Sequence, residues 1–200
     1  MDLVERAKRI LLQPGQEWQA INTEAVTTAD LYRSYIVPLA AIGSVASIIG
    51  MSVVGVSVPF FGTYRAPFAA ALGHAVVSYV LTLVGVYVLA LIINALAPTF
   101  AAEKNDAQAL KVAAYASTAA WLAGVFSLIP VLSVLGILGL YSLYLLYLGL
   151  PILMKAPQEK ALGYTAVVVV AAIALFAVIG AVSGAFITYP SPTMRMPGMK

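Results

Sequence analysis

Five stretches of this 200-residue chain are almost uninterrupted runs of apolar residues, and none of them contains an acidic side chain. They cover about 31–54, 68–96, 112–129, 131–154 and 162–189. A helix needs roughly 20 apolar residues to cross the hydrocarbon layer of a bilayer, so each stretch predicts a membrane-spanning helix. A soluble fold of this size could not bury so many apolar side chains, because small domains keep much of their surface in water.

Composition supports the membrane class and excludes several kinds of site. Hydrophobic residues make up 62% of the chain and charged residues 10%, against roughly 25% charged residues in a soluble domain. Cysteine is absent and there is one histidine, which excludes disulfides, thiolate catalysis and zinc sites built from several Cys or His ligands. We therefore expect no cofactor. The net charge of +3 is scattered between spans, which indicates membrane orientation and not nucleic acid binding.

The N-terminal segment 1–30 is predicted to be cytoplasmic and to begin with an amphipathic helix over 2–12. Its spacing predicts an apolar face of Leu3, Val4, Ala7, Ile10 and Leu11, and a polar face of Asp2, Glu5, Arg6, Lys8 and Arg9. Two placements fit this pattern. The helix lies in the headgroup layer with its basic residues near anionic lipid, or it packs against cytoplasmic loops of the protein itself.

Local signals mark the ends and the packing of the spans. Thr27 and Asp30 form a pattern like a capping box at the start of span one, and Pro38 is expected to kink that span. Small residues at Gly43, Ser47 and Gly50 favour close helix packing.

The chain between and after the spans is assigned from its polarity. A polar loop is predicted over 97–111, a compact polar turn over 155–160 and a Pro-rich disordered tail over 190–200. Pro130 separates spans three and four, which fits two full crossings or one re-entrant hairpin. The domain reading is thus an N-terminal segment over 1–30, a five-helix transmembrane domain over 31–189 and the tail.

The distribution of Lys and Arg predicts the orientation. With the N-terminus inside, eight basic residues fall on the cytoplasmic side, and only Arg65, Arg195 and Lys200 fall outside. Cytoplasmic loops carry the excess of Lys and Arg in membrane proteins, so we predict a cytoplasmic N-terminus and an external C-terminus.

Three quoted stretches resemble bacterial members of the Yip1 family: ILLQPGQEW (10–18), DLYRSYIVP (30–38) and LYSLYLLYLGLPILMKAPQEKALGYT (140–165). Eukaryotic relatives carry DLYGP at the entry of span one, where Arg33-Ser34 replace Gly-Pro here, and a GY-type motif entering span three, of which Tyr115 retains the tyrosine. The resemblance implies the five-span fold and a plasma (inner) membrane location in a prokaryote. It also implies a membrane-organising or trafficking-type adaptor that contacts lipids and proteins, since the eukaryotic branch is associated with Rab GTPases and membrane traffic.

Nine residues are candidates for interaction or for lining a cavity. Asp30 and Tyr32 lie in the family motif and, with Tyr115, Lys155 and Tyr164, are placed by the topology at the cytoplasmic side. They are read either as a docking surface or as capping and packing residues. Each remaining candidate also has two readings. A stripe formed by Tyr141, Tyr144 and Tyr147 lines a cavity or packs between helices, and His74 in span two is functional or donates to a neighbouring helix.

No span contains an acidic residue, and no catalytic constellation is recognisable, so we expect no enzymatic activity. The expected partners are the lipid bilayer and a protein, or a second copy of the chain joined through small-residue helix faces. The alternative function is a passive channel or transporter for a small solute or ion.

Overall fold

The computed structural model describes residues 2–58 and 62–184. Two short helices, α1 (Leu3–Leu12) and α2 (Pro14–Thr23), precede five long ones. The long helices are α3 (Thr28–Val54), α4 (Phe68–Phe100), α5 (Asp106–Leu128), α6 (Pro130–Leu153) and α7 (Gln158–Gly184), all apolar enough to cross a membrane. The predicted all-α bundle of five spanning helices with an amphipathic N-terminal helix is therefore confirmed. The tail 190–200 and the predicted end of span five at 185–189 lie outside the described residues.

The loop between α3 and α4 adds a short element that the sequence did not predict. Strands β1 (Val56–Val58) and β2 (Gly62–Tyr64) pair antiparallel, with Ser57 opposite Thr63. The pair lies at the end of the bundle opposite to α1 and α2.

Helices α1 and α2 form a hairpin whose ends follow from local chemistry. The Asp2 side chain caps α1 by accepting from the Val4 N–H at 3.3 Å. Pro14 begins α2, where its missing N–H costs nothing because the first turn of a helix has no internal partner for that group. The predicted polar face of α1 needs one correction. Arg6 is buried together with Ala7 and Ile10, because it has carboxylate partners inside the protein.

Helix α3 begins as the sequence indicated and contains a π-helical turn directly before Val37 and Pro38. The Thr27 hydroxyl accepts from the Asp30 N–H at 3.1 Å and donates to the Asp30 carboxylate at 2.6 Å, which confirms the capping pair. The segment Tyr32–Ile36 then widens into a π-helical turn, in which the Val37 N–H reaches back to the Tyr32 carbonyl. This turn accommodates Pro38, which lacks an N–H to donate.

Helices α3 and α5 cross with their backbones almost in contact. A Cβ added to Gly124 would lie 2.8 Å from the Gly43 Cα, and one added to Gly50 would lie 2.0 Å from the Ser127 carbonyl oxygen. Only glycine fits at such a crossing, so the predicted small-residue packing of span one has a specific partner in α5. Helix α5 is also the most enclosed span, with 67% of its most apolar window buried, against 11% for α6 and α7.

The polar loop predicted over 97–111 is shorter than expected. Helix α5 begins at Asp106, where Asn105 caps it by accepting from the Gln108 N–H at 3.0 Å. The Asn94 side-chain carbonyl accepts from the Asn105 N–H at 2.8 Å and so fixes the cap to α4. The end of the predicted loop, including Lys111, is therefore helical and buried.

Helix α6 changes geometry along its length. The chain extends at Ile129 (φ −122°) and then turns into α6, so α5 and α6 are separate helices. Residues Pro130–Leu140 form a 3₁₀ helix, and Tyr141–Leu153 continue as an α-helix. Runs of 3₁₀ helix longer than about four residues are uncommon. The aliphatic side chains of Pro130–Leu140 are mostly exposed, as expected for a surface that faces lipid.

Substitution Gly50→Ala tests the close crossing of α3 and α5. The added methyl group collides with the Ser127 backbone, so the two helices must separate, at an expected cost of about 1–3 kcal/mol. Thermal unfolding in detergent measures this loss. Gly136→Ala in α6 is the matched control, because no atom in the described part of the chain lies within 4 Å of its added Cβ. Equal melting temperatures for the two variants would contradict the crossing.

Candidate functional site

The most distinctive polar feature of the protein is a buried ion network that ties α1 to α2. The Arg6 guanidinium donates through Nη1 to the Glu17 carboxylate at 2.6 Å and through Nη2 to the Glu24 carboxylate. The side chains of Arg6 and Glu17 are each only 5% exposed. Buried charges are tolerated when they are paired and hydrogen-bonded, so this geometry compensates for their loss of water.

Helix α5 joins the network through Lys111. Its ammonium group donates to the carbonyls of Ile21, at 3.0 Å, and of Glu24, at 2.5 Å. The last carbonyls of a helix have no hydrogen-bond partner within the helix, and the negative end of the helix dipole lies there. A lysine placed at this end therefore both donates to the carbonyls and compensates the negative charge. Lys111 thus anchors the C-terminal end of α2 to the bundle.

Aromatic rings form the floor of the network, and Tyr115 is at their centre. Its ring centroid lies 5.7 Å from the Arg6 Cζ, 6.3 Å from the Trp18 ring and 4.5 Å from the Tyr35 ring. The Tyr35 and Thr118 hydroxyls are hydrogen-bonded at 2.7 Å. A guanidinium over an aromatic face is attractive, so Tyr115 supports the charge of Arg6 as well as the packing of α2 and α3.

Helix α6 receives the N-terminal hairpin through two contacts. The Trp18 indole packs directly on Gly149, where an added Cβ would lie 2.7 Å from the Trp18 Cζ2. The Tyr141 hydroxyl donates to the Leu11 carbonyl at 3.0 Å, which satisfies one of the free carbonyls at the end of α1.

The electrostatics of the network keep Arg6 charged. Burial by itself lowers the pKa of Arg6, but the hydrogen bond to Glu24 and the negative charges of Glu24 and Glu17 together raise that pKa above its ordinary value. A raised pKa of a base means that its stabilising contribution is present at every pH below the unfolded value, which includes neutral pH. The two positive charges of Arg6 and Lys111 equal in number the two negative charges of Glu17 and Glu24, although only Arg6 pairs directly with the carboxylates. The arrangement holds the hairpin in place.

The predicted docking residues do not form one surface. Tyr115 and Tyr164 are buried, and the Tyr164 hydroxyl donates to the Ile93 carbonyl at 2.5 Å while its ring stacks on Phe100 at 4.9 Å. Tyr32 donates to the Leu83 carbonyl at 2.8 Å across to α4.

The two charged members of that set remain at the surface. Asp30 is exposed beside its capping partner Thr27. The Lys155 ammonium lies 2.7 Å from the Glu103 carboxylate, and both side chains are 64% exposed.

The tyrosine stripe of α6 is divided between the interior and the surface. Tyr141 turns toward α1, whereas Tyr144 is 47% exposed beside it, with 5.4 Å between the ring centroids. Tyr147 is half-buried. His74 lies apart from this group, near the opposite end of the bundle, where its Nδ1 is 3.1 Å from the Ser183 carbonyl oxygen and ties α4 to α7. Among the described residues, no group of three or more Cys, His, Asp or Glu side chains could hold a metal ion.

Substitution Arg6→Gln tests the network. It leaves Glu17 buried without its cationic partner, and the expected loss of stability is about 3–5 kcal/mol. Lys155→Gln is the matched control, because it breaks an ion pair that is exposed and should cost at most about 1 kcal/mol. Thermal unfolding in detergent and the rate of protease cleavage near residue 25 provide the readouts. Similar values for both variants would rule out a stabilising role for the network.

Comparison with known proteins assigns the family. Residues 8–179 match the Yip1 domain, so the match extends from α1 through most of α7. No curated protein and no solved structure matches the chain significantly. The matched region includes Glu17, Glu24 and Lys111 of the network, its aromatic floor, four whole spanning helices and most of α7. It begins two residues after Arg6. The chain therefore belongs to the Yip1 domain family and is a multi-pass membrane protein.

Proposed function

We propose that the protein is a non-enzymatic adaptor of a prokaryotic plasma (inner) membrane, and that it contacts lipids and a protein partner at its cytoplasmic face. The observation that carries the proposal is a pair of connected loops, 101–105 and 154–157, which we call the loop pair. The Glu103 N–H donates to the Met154 carbonyl at 2.8 Å, and the exposed Glu103–Lys155 ion pair bridges the same loops. The loop pair is thus a preformed surface with both charges available to a partner.

Backbone strain in the loop pair supports a role in binding. Ala101 (φ 55°) and Lys155 (φ 52°) both adopt the left-handed conformation, which is unfavourable for residues with a Cβ. A left-handed residue commonly ends a helix, as Ala101 does after α4, and residues in strained conformations also cluster at binding sites. Glycine at either position would remove the strain. Because the chain has Lys155 there instead, and this lysine is charged, we take its side chain to be the feature that a partner would require.

The orientation assigned to this face rests on the segregation of charge. Every charged residue that the structure describes, apart from Arg65, lies at the end of the bundle where α3 begins. Arg65 lies at the opposite end, where its Nε donates to the Val53 carbonyl at 2.8 Å. An excess of Lys and Arg marks the cytoplasmic side, so the N-terminus is cytoplasmic and the C-terminus external in this proposal.

Substitutions to cysteine test the orientation, because the natural chain has no cysteine that would interfere. We expect Lys104→Cys to be protected from a membrane-impermeant thiol reagent in intact cells and to react after the cells are opened. Arg65→Cys, at the opposite end of the bundle, should react in intact cells. The reversed pattern would refute the proposed orientation.

Lys155→Gly tests the loop pair, because it removes the side chain and the strain together. We expect a melting temperature equal to or above that of the natural protein, since glycine favours the left-handed conformation by about 1 kcal/mol. We also expect weaker photo-crosslinking to the partner from a benzoylphenylalanine placed at Ala102. The mass of the adduct identifies the partner, and twice the mass of the chain indicates a second copy. A second copy has a helix face available at Gly180, where an added Cβ meets no atom of the described residues within 4 Å.

The crosslinking also needs a control site and an opposing outcome. Benzoylphenylalanine at Ile173, an exposed position on the lipid-facing surface of α7, is the control site. The yield of any adduct from this position should be the same with and without Lys155→Gly. An equal yield of the Ala102 adduct with Lys155 present and in the Lys155→Gly variant would refute the loop pair as the docking surface.

The alternative function, a passive channel or transporter, has one feature in its favour. A cavity of about 210 Å³ lies between α4, α5, α6 and α7, and its lining includes the hydroxyl-bearing residues Thr82, Ser117 and Ser142. Its other lining residues are apolar apart from the indole N–H of Trp121. Selective solute flux in reconstituted vesicles, abolished by Ser142→Phe, would replace the adaptor proposal with this one.

A further inference from the structure

An apolar furrow runs along the lipid-facing seam between α3 and α5. It consists of two clefts, of about 450 and 380 Å³, that share Pro38 and Ile42. On the α5 side, Leu122 lines the first cleft and Val125 the second. These residues recur every three or four positions along their helices, so the two clefts follow the helix axes as one groove.

The furrow lies at the depth of the membrane-spanning helices. Helix α1 closes one end of it by packing beside Pro38 and Ile42, which are about 15 and 21 Å into α3 at 1.5 Å per residue. From Pro38 to Ile49 the furrow extends for about 16 Å. A groove that opens sideways at this depth meets hydrocarbon, and its length suits most of one acyl chain.

Of the residues that the structure describes, Lys8 of α1 is the one charged residue that lines the furrow. Its flanking neighbours on the same helix face, Val4 and Leu12, are 70% and 68% exposed. Exposed aliphatic residues four positions on either side of a lysine indicate a face immersed in lipid, with the ammonium group reaching to the headgroups. Within the described part of the chain, Lys8 forms no ion pair, whereas Arg6 and Arg9 both do.

We propose that the furrow binds an anionic phospholipid of the leaflet next to α1, with one acyl chain along the α3–α5 seam and the phosphate on Lys8. The apolar lining favours an acyl chain of the lipid, and the unpaired ammonium group of Lys8 favours a negatively charged headgroup. The ion network of Arg6 gives the site its shape, because it fixes the α1 face that carries Lys8. This inference depends on the membrane placement of the helices and is independent of the adaptor role.

Fluorescence quenching by brominated lipids tests the site in the full-length protein. We place a cysteine-reactive fluorophore on Val45→Cys, in the furrow, and reconstitute the protein in two mixtures of phosphatidylcholine and phosphatidylglycerol. In one mixture the phosphatidylglycerol is brominated, and in the other the phosphatidylcholine is brominated. We expect stronger quenching by brominated phosphatidylglycerol. The control is Ile173→Cys, an exposed position on α7 outside the furrow, where both lipids should quench equally.

Lysine variants then connect the lipid preference to Lys8. Lys8→Ala in the Val45→Cys protein should lower the preference for phosphatidylglycerol about fivefold. Lys160→Ala, which removes an exposed lysine at the same end of the bundle, should leave it unchanged. Equal quenching by the two lipids at Val45→Cys, or a preference that survives Lys8→Ala, overturns the proposal. Neither result depends on the loop pair, so failure of this site and failure of the adaptor proposal are distinguishable.

Discussion

The guanidinium group of Arg6 makes the contacts on which the arrangement of α1 and α2 at their end of the bundle depends. It bridges Glu17 of α2 and Glu24 of the following loop, and it lies over the ring of Tyr115 in α5. A buried charge is costly without partners, so α1 and α2 have one favourable relative placement. That placement positions Leu11 beside the Tyr141 hydroxyl. The N-terminal hairpin is consequently an integral layer of the bundle.

Helix α5 transmits this order to the rest of the protein. At one end Lys111 binds the carbonyls that close α2, and at the other Gly124 allows the backbone of α3 to approach. Lipid cannot drive helices together by the hydrophobic effect, so association relies on such close packing and on hydrogen bonds. The lower burial of α6 and α7 fits their position outside this central contact.

The sequence predicted the features that depend on local patterns. Span number, the Thr27–Asp30 cap, the break at Pro130 and the glycine face of α3 all follow from length, hydropathy or short spacing. Burial of Arg6 could have been suspected, because Arg6 is three residues after Leu3 and four before Ile10 and so borders the apolar face. Its partners could not, because Glu17 and Glu24 are distant along the chain. The π-helical turn before Pro38 and the buried Tyr164 likewise depend on tertiary contacts.

The 3₁₀ geometry of Pro130–Leu140 has a consequence for the dimensions of the bundle. A 3₁₀ helix rises about 2.0 Å per residue and an α-helix about 1.5 Å, so this segment is about 5 Å longer than the same residues would be as an α-helix. The segment packs along the second half of α5, where a Cβ added to Gly139 would lie 3.2 Å from the Ala120 Cα. Helix α6 therefore spans more of the bilayer thickness than an α-helix with the same number of residues would.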